Sequence, residues 1–61
     1  MRTWLVKIRK DKGWSTYQAA AAIGISQSFY WAIENGTRGV PVETAKKIAK
    51  TYGFRWTRFF E

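Results

Sequence analysis

The 61 residues carry eleven Lys and Arg against four acids, a formal charge of +7. That excess points to a polyanionic partner, with nucleic acid ahead of a membrane surface. Cysteine and histidine are absent, so no disulfide can staple the chain and no thiolate or imidazole can hold a metal. A chain this short buries only about 60% of the surface that its unfolded form exposes, so stability leans on packing by four Trp, three Tyr and four Phe, in the core or against a partner.

Residues 1–61 read as one all-α domain of five helices. The first helix is predicted over Thr3 to Lys12, with Leu5 and Ile8 inward and Arg2, Lys7, Lys10 and Asp11 outward. Basic residues at the N-terminus with no apolar run behind them do not make a secretory signal. Gly13 ends this helix. Ser15 and Gln18 form a capping box for the second, whose body Ala19 to Ala22 is helix-prone and slim enough for a close neighbour. The longest apolar run, Ala19 to Ile23, is far too short to span a membrane. The default location is the cytoplasm.

Gly24 suits a left-handed turn, Ile25 a core plug and Ser26 the cap of a third helix from Gln27 to Asn35, closed by Asn35-Gly36. A helix-turn-helix is therefore expected at the second and third helices. Val40-Pro41 opens a fourth helix, with Val42, Ala45, Ile48, Ala49 and Tyr52 on its inward stripe and Glu43, Lys46, Lys47 and Lys50 outward. After Gly53, the segment FRWTRFFE reads as one or two helical turns folding Trp56 and Phe59 or Phe60 back onto the core.

Helical spacing puts Gln27, Ser28, Trp31, Ala32 and Asn35 on one face of the third helix, and Tyr30 and Ile33 on another. Phe29, Tyr30 and Trp31 together span about 200° of the helix, more than a core contact covers, so Trp31 is expected to be exposed. Glutamine can contact adenine through two hydrogen bonds, serine can bond a base or phosphate, and alanine can pack on a thymine methyl. The face carries no lysine or arginine. Charge flanks it: five basic residues and one acid lie in Arg2 to Lys12, only Glu34 in 13–37, and six basic residues and two acids from Arg38 onward. Backbone amides near Ser15 to Tyr17 and Pro41 to Glu43, with Arg38 beside them, are expected to grip phosphates.

The pattern of small residue, glycine, apolar-Ser-Gln-Ser, apolar pair and Glu-Asn-Gly is carried by Ala20, Gly24, Ile25, Ser26, Gln27, Ser28, Tyr30, Ile33, Glu34, Asn35 and Gly36. It resembles the helix-turn-helix of the Cro and lambda-repressor-like (Xre-type) family. VETAKKIAK and GFRWTRFFE extend the likeness over essentially the whole chain. The resemblance implies a DNA-binding regulator whose base readers are Gln27 and Ser28, with Ala32 placed to meet a thymine methyl. It also implies that Asn35, Thr37 and Arg38 hold phosphates, and that Arg9 pairs with Glu34.

The chain departs from that pattern at four places. Thr16 stands where a glutamine is usual; it can hold a phosphate but is expected to be too short to brace Gln27. Trp31 replaces a small or polar residue, Trp14 a leucine, and Tyr30 an apolar one.

The expected function is sequence-specific binding of double-stranded DNA by a transcriptional regulator, a repressor, acting as a homodimer on half-sites about 34 Å apart. Trp56, Phe59 and Phe60 are candidate interface residues, with packing inside the monomer as their other role. The alternative is a protein-interaction module (an antirepressor, antitoxin or related phage factor) using the aromatic face of the third helix. Four scattered acids without His or Cys leave no catalytic constellation, and no small-molecule cofactor is implied.

Overall fold

The computed structural model describes residues 1–61. Four α-helices, α1 (Thr3–Asp11), α2 (Thr16–Ile23), α3 (Gln27–Asn35) and α4 (Val42–Tyr52), are followed by a 3-10 helix, Trp56–Phe60. The fifth element is thus a tight single-turn device and not an α-helix. It suits a segment of five residues that has to place aromatic side chains on a surface rather than extend.

Local chemistry sets the boundaries. The Ser15 hydroxyl accepts from the Gln18 N–H at 3.1 Å while Gln18 Oε1 accepts from the Ser15 N–H at 2.9 Å, completing the capping box. Ser26 Oγ accepts from the Phe29 N–H at 3.2 Å and starts α3. Between these helices Gly24 adopts φ +92°, a left-handed conformation that costs an L-residue with a Cβ about 1–2 kcal/mol. The reversal packs α2 against α3, and Ala19 and Ala20 of α2 are buried.

The core runs through Leu5, Ala19, Ala20, Ile23, Tyr30, Ile33, Val40, Ala45, Ile48, Tyr52 and Phe59. Leu5, Tyr30, Ile33 and Ile48 are fully enclosed, and burial of a large apolar side chain stabilises by about 1.5–3 kcal/mol. Two placements differ from the sequence expectation, and Phe59 takes the core role, one of the two expected of it. Val42 lies at the first turn of α4, beyond the reach of the core, and is exposed. Arg2 turns inward: its N–H donates to the Glu34 carbonyl at 2.7 Å, and its guanidinium donates to the Ile33 carbonyl and lies 5.5 Å from the Phe59 ring centroid. These contacts satisfy the C-terminal carbonyls of α3 with a cation, where the helix dipole favours one. Phe59, also named as a candidate interface residue, is buried among aromatics. Trp4 meets Phe54 edge-on at 5.1 Å and Phe59 at 5.2 Å, and Arg58 caps the Trp4 ring at 4.4 Å.

One buried residue is charged. Glu34 is 3% exposed and takes a two-point contact from Arg9, with Nε to Oε2 at 2.6 Å and Nη2 to Oε1 at 3.3 Å. Arg9 Nη1 also donates to the Trp14 carbonyl at 2.8 Å. The Tyr30 and Tyr52 hydroxyls hydrogen-bond to each other, and no buried side-chain polar atom lacks a partner. Burial, followed by the bonds to Tyr52 and Glu34, drives the Tyr30 hydroxyl far above the ordinary tyrosine range. Burial likewise raises that of Tyr52, while the hydrogen bond to Glu34 raises Arg9.

Two outcomes follow. Arg9→Met strands the Glu34 carboxylate in the core and should lose about 3–5 kcal/mol, measured by urea unfolding. The double change Arg9→Met with Glu34→Leu should recover a large part of that loss. The tyrosine shifts act in the alkaline direction. Their folded values lie above the unfolded one, so the stability they contribute is full below about pH 10 and is lost as pH rises beyond it. The unfolding free energy from urea titrations should therefore fall as pH rises past about 10, by up to ~1.4 kcal/mol per pH unit for each tyrosine. Tyr52→Phe should flatten the fall.

Candidate nucleic-acid interface

The N-termini of α2 and α3 are tied by a side-chain bond. Gln27 Nε2 donates to Thr16 Oγ1 at 3.0 Å, which corrects the expectation that Thr16 is too short to brace it. The reach comes from Gln27, whose longer side chain spans the gap between the two helix starts. A glutamine amide has two N–H donors and one carbonyl acceptor. One N–H is spent on Thr16, leaving an N–H and Oε1, the pair that recognises adenine N7 and N6.

Ser28 is exposed beside Gln27, and Trp31 is 53% exposed one turn further on. Ala32 is half-buried at the margin of the same face. Tyr30 and Ile33, on the opposite side, are fully enclosed, and Phe29 sits half-buried between the two faces. Arg38 reaches back over Phe29, 5.6 Å from its ring centroid, and forms no ion pair with an acid. It stands as the exposed cation next to α3.

Asn35 and Thr37 are turned differently from the phosphate-holding arrangement implied by the family resemblance. Asn35 Nδ2 donates to the Trp31 carbonyl at 2.9 Å, and the Thr37 hydroxyl donates to the Ala32 carbonyl at 3.4 Å. Both donors thus close the end of α3. The first-turn amides of an α-helix have no intrahelical acceptor. At α2 the Ser15 hydroxyl occupies that of Gln18, leaving those of Thr16 and Tyr17 open. At α4 the residue before the helix is Pro41, which offers no side-chain cap, so the amides of Val42, Glu43 and Thr44 stay open. Such amides bind anions in concert with the helix dipole.

The sequence analysis missed Tyr17, whose side chain is 67% exposed at the start of α2. The available signal was its separation from the inward residues Ala19, Ala20 and Ile23, since it shares a side of the helix with Ala21 instead. Of the aromatic trio near the C-terminus, Phe60 is 55% exposed and Trp56 half-buried. The trio therefore does not form one surface. No helix is long and apolar enough to cross a membrane.

A family model described as helix-turn-helix matches residues 5–59. The chain is 48% identical over 61 residues to a protein of Bacillus subtilis (strain 168) described as the uncharacterized HTH-type transcriptional regulator YqaF, covering all of this chain and 80% of that one. No solved structure matches. Together with a glycine-turned helix pair, a capped second helix and an outward polar face on the third, the matches place the chain in the Cro and lambda-repressor-like (Xre-type) helix-turn-helix family, DNA-binding and not enzymatic.

Proposed function

We propose that this chain is a sequence-specific regulator of transcription, a repressor, that inserts α3 into the major groove of double-stranded DNA and binds as a homodimer. The observation that carries the reading is the Gln27–Thr16 bond. It holds the glutamine at the start of an outward-facing helix with its adenine-complementary pair unspent. Ser28 and Trp31 extend the reading face, and Ala32 lies at its edge for a thymine methyl. The open amides of α2 and α4, with Thr16 and Arg38, take the phosphates. Asn35 and Thr37 join them by giving up their bonds to α3 carbonyls. A single unit of this size buries little surface on DNA, and a two-fold pair reading two half-sites supplies the missing specificity. Phe60, 55% exposed, is the aromatic residue of the C-terminal trio left for that pairing.

Exposed Trp31 and Tyr17 favour a second reading, in which the same face grips a protein. Large exposed aromatics are common interface anchors, and α3 carries no cation to favour DNA.

Selection of genomic DNA fragments by the purified chain should enrich a pseudo-palindromic motif, and failure to enrich any motif shifts the reading to a protein partner. Gln27→Ala should then cost about 1–3 kcal/mol at its own base pair and relax preference there, as read by binding to a panel of substituted sites. Under the protein reading, Trp31→Ala abolishes partner capture and Gln27→Ala leaves DNA affinity untouched. The logarithm of DNA affinity should also fall linearly with that of salt concentration, with a slope near −0.9 per phosphate neutralised. A flat response in a fluorescence-anisotropy salt series would remove phosphate anchoring from the proposal.

A further inference from the structure

A cavity of about 520 Å³ opens between the C-terminal half of α4 and the 3-10 helix. Its size lies within the ~300–1,000 Å³ range of small-ligand sites. Lys46, Lys50 and Arg55 stand on its wall, and Ala49, Phe54 and Trp56 supply its apolar surface. The two ion pairs of the protein, Lys7–Asp11 and Arg9–Glu34, involve none of these cations. No carboxylate lines the cavity, since Glu43 and Glu61 lie outside it. Phe54 and Trp56 are half-buried, so their rings are held in place and still reachable. Lys46 is already drawn over the Trp56 ring, its Nζ 5.2 Å from the centroid.

Three unpaired cations on one concave wall repel one another and focus a positive potential into the cavity, which an anion relieves. Charge alone would be met by an inorganic ion on any basic surface. The aromatic and alanine surface adds a place for a flat apolar body next to the charge, as cation-and-ring sites do for planar anions. None of the lining residues belongs to α2, α3 or the turn between them, so the cavity is separate from the reading face.

We propose that this cavity binds a small organic anion that joins a planar ring to a phosphate or carboxylate. The ring packs on Ala49, Phe54 and Trp56, and the acid group is held by Lys50 and Arg55, with Lys46 at the ring side. A duplex phosphate backbone supplies the charge without a free ring, and does not fill such a site.

The test is titration of the full chain in proton–nitrogen correlation spectra, following the Trp56 indole N–H and the Thr57 amide. Adenosine monophosphate and benzoate are the two probes, with adenosine, inorganic phosphate and a duplex oligonucleotide as controls. Saturable shifts with either probe, well above those with adenosine or inorganic phosphate at equal concentration, are expected. The stronger probe identifies the acid group as phosphate or carboxylate. Lys50→Gln with Arg55→Gln, both at exposed positions, should weaken that binding by about tenfold while the rest of the spectrum keeps its dispersion. Equal responses to the probe and to inorganic phosphate or adenosine would overturn the proposal. So would no response to either probe, undiminished binding by the double variant, or displacement of the probe by duplex DNA.

Discussion

The buried contact between Arg9 and Glu34 governs the geometry of everything around it. Glu34 is one residue from the end of α3, and Arg9 comes from α1 while also holding the carbonyl of Trp14 in the following loop. Three segments are thereby fixed to one ion pair. The Tyr30–Tyr52 pair carries the connection on to α4. A charge buried to this degree tolerates few arrangements, because each alternative leaves a donor or an acceptor stranded in a medium that penalises it heavily. Specification of one packing, more than net stabilisation, is what such a contact contributes.

The orientation of α3 follows from being held at both ends. Its C-terminal end is tied by Glu34 and by the Arg2 donors to the last carbonyls. Its N-terminal end is tied by Gln27 to Thr16 and by the Ser26 cap. Between these anchors, Tyr30 and Ile33 face inward while Ser28 and Trp31 face outward. The helix itself is neutral apart from the paired Glu34, so positive potential reaches it from Arg38, the basic faces of α1 and α4, and the open helix N-termini. Separating anchoring from reading in this way lets the side chains on α3 be chosen for shape and hydrogen bonding.

Most of the architecture was legible in the sequence because its signals are local. A capping box, a serine cap, a glycine at each reversal and helical stripes need only a few neighbouring residues, and Ser15, Gln18, Gly24, Ser26 and Gly36 carry the caps and turns. The inward placement of Tyr30 and Ile33 and the exposure of Trp31 also followed from helical spacing. What escaped were distances between elements. Whether Gln27 reaches Thr16 depends on how closely α2 and α3 approach. The inward turn of Arg2 depends on where α3 ends relative to α1. The aromatic residues after Gly53 could be sorted into core and surface only when Trp4 and Phe54 were known to frame a slot for Phe59. In the reading face, residue types were visible and their bonding states were not: Asn35 and Thr37 look free in sequence, yet their donors are taken by α3.

The aromatic knot of Trp4, Phe54 and Phe59 has a consequence for biogenesis. Its members come from α1 and from segments about fifty residues later in the chain. Joining them closes a loop of about fifty residues, an entropic cost that rises with loop length and a contact pattern that slows folding. Trp4 stays uncovered until Phe54 and Phe59 have left the ribosome and can pack on it. The core is therefore completed only after translation has passed that point, and a nascent chain stalled before it would present an open indole to chaperones and proteases.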